Sequence, residues 1–155
     1  MEIADTVAAF SEKFGVLFRP ASPTEVATAA AAGIPESLLE FYREFEPNET
    51  GKEKTRFFPL DRVVAELTDF VPACHLSRYG YFAIAGTNHG DVYVVRPVDN
   101  QDYRKMPVYL FGHEVNFSRI SKAQVEEFCT IAATGIPDFL SKAATGKLET
   151  NPFKI

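Results

Sequence analysis

The sequence predicts an α+β fold: a single domain with a central, mainly antiparallel twisted sheet flanked by helices. Three observations carry that expectation. Apolar residues recur at helical spacing near both ends of the chain. Three strand-length runs, 81–85, 91–96 and 107–111, follow one another in the middle. The element order is therefore helices, strands, helices, which suits an antiparallel sheet with helices packed on it. A length of 155 residues allows one domain with a real core and is short for two.

Taken in order, residues 2–14 read as a helix, with Ile3, Val7, Phe10 and Phe14 on one stripe and Gly15 as a left-handed stop. Val16-Leu17-Phe18 reads as a short strand. Ser22-Pro23-Thr24-Glu25 has the S-x-x-E form of a capping box with Pro at the first helical position, and opens an alanine-rich helix that ends at Gly33. Leu38, Phe41, Tyr42 and Phe45 form the clearest apolar stripe, on a helix that starts at Ile34-Pro35-Glu36 and ends at Pro47. Residues 48–55 read as a polar loop, 56–59 as extended chain and 61–69 as a short helix. A loop is expected from Pro72 to Gly80, and an exposed charged loop from Pro97 to Met106. Ser121 to Gln124 repeats the capping-box form. Val125, Phe128, Cys129 and Ala132 extend that helix toward Gly135, and residues 137–144 make one more.

Composition narrows the function. The formal charge is −5 and the pI about 5.2. Nucleic acid and anionic membranes both call for clustered Lys and Arg, so neither is an expected partner. A basic protein partner is compatible, because an acidic face speeds encounter with one. Cys74 and Cys129 form no spaced framework and read as reduced thiols of a cytoplasmic protein. The start lacks the basic and apolar regions of a signal peptide, and no run is long enough to span a bilayer. Fourteen Phe and no Trp bear on core filling, not on chemistry.

The stretch "AIAGTNHGDVYVV" holds the chemistry-bearing candidates. His89-Gly90-Asp91 could be a catalytic pair, half a metal site or a turn. Gly86 to Gly90 is a five-residue connection of ordinary turn residues between two strands, which favours the turn. A catalytic histidine needs an orienting partner and a substrate proton in reach, and no nucleophile motif or paired carboxylate accompanies this one. His75, His89 and His113 are scattered without metal-ligand spacing. A site assembled in space from His89, Asp91 and His113 is the remaining alternative, serving a hydrolase or a metal enzyme. Cys74 and His75 are adjacent and, in extended chain, point apart. The expected cofactor and metal complement is none.

Two candidate binding surfaces remain. If the aliphatic strand faces share one core, Tyr81, Tyr93 and Tyr109 share the opposite face, either under helices or as an interface. Glu36, Glu40, Glu44, Glu46, Glu49 and Glu53 crowd one helix and its loop, opposed by Arg43 and Lys52. That is a solvated helix face or an electrostatic docking edge.

The order of these segments resembles the SUKH superfamily, the Smi/Knr-type proteins. "GIPESLLEFYREFEPNE" is similar to the family's Gly-x-Pro start and amphipathic helix, and "FFPLDRVVAEL" to the strand and helix that follow. "YFAIAGTNHGDVYVV" is similar to its central hairpin, with Asp91 at the turn acid; "VYLFGHEV" and "ISKAQVEEFC" resemble the next strand and the late helix. The resemblance covers roughly residues 23–145. It departs from the family pattern in running Glu46-Pro47-Asn48-Glu49 where Asn-Gly is usual, and in lacking a tryptophan. It implies a non-catalytic protein-binding domain: an immunity protein that neutralises a cognate toxin, often a nuclease or deaminase, or a regulatory scaffold. Glu44, Glu46, Glu49, Asp91, Tyr81, Tyr93 and Tyr109 are then the candidate partner contacts, with the protein a monomer or homodimer.

Overall fold

The computed structural model describes residues 2–48, 55–119 and 121–153. Its centre is a five-stranded antiparallel sheet in sequence order, formed by β3 (Thr55–Phe57), β4 (Phe82–Thr87), β5 (Val92–Val95), β6 (Val108–Phe111) and β7 (Thr130–Ala133). A two-stranded ribbon, β1 (Phe18–Arg19) with β2 (Glu46–Pro47), forms a second sheet whose Phe18 ring lies 6.0 Å from Phe57. The helices are α1 (Ile3–Phe14), α2 (Pro23–Ala31), α3 (Glu36–Glu44), α4 (Leu60–Glu66), α5 (Ala73–Leu76), α6 (Lys122–Glu127) and α7 (Ile136–Ala144). The α+β class is as the sequence predicts.

Local signals set most helix ends. Gly15 adopts φ 68° and closes α1 by donating to the Ser11 carbonyl. Both capping boxes are formed. The Ser22 hydroxyl accepts from Glu25 N at 3.1 Å, and Ser121 accepts from Gln124 N at 3.2 Å while Gln124 returns a 2.8 Å bond.

One face of the sheet carries Phe57, Tyr93 and Leu110. Phe10 of α1, Phe41 of α3 and Phe139 of α7 cover it, each ring 5.1–5.9 Å from Phe57 or Tyr93. The abundant phenylalanines thus make an aromatic core in place of tryptophan. The other face carries Phe111 and Gly86, covered by Phe117, by Phe58 and by α4 and α5.

Several expectations change. The stripe from Val125 to Ala132 is not one helix: α6 stops at Glu127 and β7 follows. Thr130 and Ile131 pair with Leu110 and Tyr109, so the free edge of β6 takes up residues whose spacing also suits a helix. Residues 73–79 form α5 and a 3-10 turn instead of a loop, so Cys74 and His75 are helical and half-buried. The segment 97–106 is not wholly exposed: Tyr103 and Met106 are buried, Tyr103 against Phe41 at 5.4 Å. The first short strand begins at Phe18 rather than Val16. Helix α3 ends at Glu44, and Glu46-Pro47 turn back as a strand. No helix among the described residues is long and apolar enough to cross a membrane.

Candidate functional site

The connection between β4 and β5 is a tight turn held by its own polar groups. Thr87 N donates to the Asp91 carbonyl at 2.9 Å, and Gly90 N to the Thr87 carbonyl at 3.3 Å. The Thr87 hydroxyl accepts from His89 N and Asp91 N at 3.3 and 3.2 Å. Gly90 takes φ 91°, the conformation glycine adopts without strain. His89 is exposed, and among the described residues its side chain makes no hydrogen bond that holds the turn. His89→Ala should therefore leave the unfolding free energy within about 0.5 kcal/mol of wild type; a larger loss in urea unfolding contradicts the turn assignment.

Asp91 does more than close the turn. Its buried carboxylate accepts from His113 N at 2.9 Å and sits 2.6 Å from His113 Nδ1. An ionised carboxylate only accepts, so a neutral imidazole here carries its proton on Nδ1 and leaves Nε2 as the acceptor. Asp91 thus ties the β4–β5 turn to the chain leaving β6. Asp91→Ala strips two donors of their partner and should cost about 1–3 kcal/mol in urea unfolding; an unchanged midpoint overturns that role.

The pair opens onto a cleft of about 380 Å³ lined by His89, Asp91, His113, Glu114, Pro152 and Phe153. Tyr93 Oη donates to the Glu149 carbonyl at 2.6 Å and Thr130 Oγ1 to the Pro152 carbonyl at 2.7 Å, which straps the terminal segment across the sheet end. The structure therefore brings together His89, Asp91 and His113, as the alternative to a plain turn requires. No Ser, Thr or Cys among the described residues lines the cleft. Among the described residues, no three of His, Cys, Asp and Glu are grouped to hold a metal ion.

The three tyrosines do not share one face: Tyr81 meets Tyr109, and Tyr93 lies on the other side. Antiparallel register sets Tyr93 opposite Leu110 and Tyr109 opposite Val94, so these two rings lie on opposite sides of the sheet. Tyr93 is fully buried, packed on Phe139 at 5.1 Å, and burial holds its hydroxyl well above the usual phenol range. Tyr81 precedes β4 and is buried against Phe111 and Tyr109 at 5.3 and 6.3 Å. Tyr109 alone is half-exposed, beside Ile131, which is 62% exposed on the edge strand. Cys129 lies in this region, and burial pushes its thiol up to about 11, away from reactivity.

The acidic residues divide as well. Glu36, Glu40 and Glu44 are exposed on α3, Glu36 paired with Arg43. Glu46, expected on that surface, is buried, because β2 turns it inward to accept from Leu60 N at 2.9 Å at the start of α4. Glu49 and Glu53 lie outside the described residues. Burial, helped by the neighbouring carboxylates of Glu25 and Asp61, raises the Glu46 carboxyl to about 7. Sequence reasoning assigned Glu25 to its capping box and missed this second partner. No local signal joins residues 25 and 46, which meet through the fold.

No protein-family model matches the chain, and no curated protein matches it.

Proposed function

We propose that this chain is a non-catalytic protein-binding domain, and specifically an immunity protein that engages a basic toxin domain in the cytoplasm. The observation that carries the reading is the acidic outer face of α3, where Glu36, Glu40 and Glu44 are all exposed on a molecule of net charge −5. Such a face steers a basic partner by long-range attraction. The helix, hairpin and late-helix order that resembles the SUKH superfamily supports it. A regulatory scaffold with several partners is the alternative within the same binding class. Recovery of one stoichiometric basic toxin domain with the tagged protein from its own cells favours immunity; several substoichiometric housekeeping proteins favour the scaffold.

Charge reversal at Glu40 and Glu44 should slow association with that partner by about tenfold at low salt and by much less at 0.5 M salt. Equal rates by stopped-flow mixing at low salt sink the docking edge. Glu46 is unsuited to this test because a buried lysine there disrupts folding.

A catalytic reading has one observation in its favour, the Asp91–His113 pair facing a cleft. If that pair acts on a substrate, His113→Gln abolishes activity while the fold persists. Toxin neutralisation that survives His113→Gln counts against it.

A further inference from the structure

The α2–α4 junction holds a second feature that the acidic α3 face does not explain. Thr24, Thr28, Ala29, Leu60 and Val64 line a cleft of about 220 Å³ with largely apolar walls. Two exposed carboxylates, Glu25 and Asp61, stand on its rim, one from each helix. Buried Glu46 does not line the cleft but interacts with Glu25, which raises the Glu46 carboxyl and lowers that of Glu25.

We propose that this cleft receives a lysine or arginine side chain of a protein partner. The proposal rests on the binding-domain reading above and gives it a contact site. Its shape and charge together select such an occupant. The aliphatic stem of a long cationic side chain suits apolar walls, and the charged head then reaches the rim carboxylates. A fully apolar side chain leaves those carboxylates partly desolvated without a counter-charge, and an anion meets like charge. The cationic occupant is thus chosen by charge complementarity and not by acidity alone.

Binding of this kind carries a proton signature. Glu46 takes up its proton near pH 7, in contact with the ionised Glu25. A cation set beside Glu25 favours the ionised form of its neighbour Glu46, so affinity rises with pH through that region. Among the described residues, the charged and titratable groups around Glu46 are Glu25 on α2, Asp61 on α4, Tyr42 on α3 and Arg19, its cross-strand partner on β1. Of these, Glu46 is the group that titrates between pH 6 and 8. Tyr42 is held well above its ordinary value by burial.

The test is amide chemical-shift mapping of the full chain titrated with a tri-lysine peptide, and with the same peptide acetylated on its side chains. The proposal expects shifts concentrated at 24–29 and 60–64 and about tenfold tighter binding at pH 8 than at pH 6. It expects no response to the acetylated peptide. Glu46→Gln should remove the pH dependence while retaining the fold, since the amide can still accept from Leu60 N. Glu25→Gln, which keeps the capping box as Gln124 does in α6, should weaken binding at both pH values. Shifts centred on Glu36, Glu40 and Glu44 overturn the proposal, as does equal binding of the acetylated peptide. Partner recovery from cells is a separate measurement. A basic partner held equally by wild type and by the Glu25→Gln, Asp61→Asn double variant refutes the cleft and leaves the binding reading standing. A specific peptide response with no basic partner does the reverse.

Discussion

The protein should be more stable at pH 5 than at pH 8, and Glu46→Gln should abolish most of the difference. Glu46 is buried, and desolvation outweighs the Leu60 N–H bond that favours its charged form; Glu25 and Asp61 add like charge. Its carboxyl therefore holds its proton to about 7 in the folded protein, against 4.5 when unfolded. Below 4.5 both states are protonated and this contribution is fully present. As pH rises from 4.5 to 7 the unfolded chain releases the proton first, and stability falls until the folded carboxyl also ionises. Glu25, whose carboxyl is lowered by the same contact, acts in the opposite sense, its contribution being lost only as pH falls below 4.5. The pair titrates as a unit, and the expected loss between pH 5 and 8 is about 2 kcal/mol. Urea unfolding of wild type and Glu46→Gln at both pH values measures it. Parallel pH slopes for the two proteins refute the assignment.

That carboxylate marks the boundary of what the sequence discloses. Helix α3, both capping boxes and the β4–β5 turn depend on residues within a few positions of one another, so their spacing is enough to find them. Strand β7 is different. Thr130 and Ile131 have neighbours at helical spacing, and the choice is made by the open edge of β6, which no local pattern encodes. The tyrosine faces fail for a related reason. Alternation holds within β5 and β6, but register between strands puts Tyr93 with Leu110 and Tyr109 with Val94, and in β4 an irregularity between Ala83 and Ala85 breaks the alternation, pairing Ala83 with Val94 and Ala85 with Tyr93. The candidate site follows the same rule. The turn at Gly90 is legible, whereas the contacts of Asp91 with His113, 22 residues on, and of Glu46 with Glu25 arise from tertiary packing.

Gly135→Ala should destabilise the protein by about 3 kcal/mol or more, a larger effect than Gly33→Ala although both glycines begin a Gly-Ile-Pro segment. The reasons differ in kind. Gly33 has φ 103° with nothing within 4 Å of an added Cβ, so alanine there meets only backbone strain of about 1–2 kcal/mol. Gly135 has φ −176°, extended backbone open to any residue, but a Cβ would stand 1.9 Å from the Arg104 carbonyl oxygen and 2.7 Å from its carbon. Backbone, not a flexible side chain, blocks the site, so relief requires the 97–106 segment and the start of α7 to part. That separation loosens two pieces of the aromatic core at once: Tyr103, seated on Phe41, and Phe139, seated on Tyr93 and Phe57. Urea midpoints of the two variants decide the matter, and equal losses mean that the close approach at Gly135 is not what holds α7 to the sheet. A greater loss at Gly135 makes the charged segment before β6 a structural clamp, whose burial the polar character of its sequence conceals.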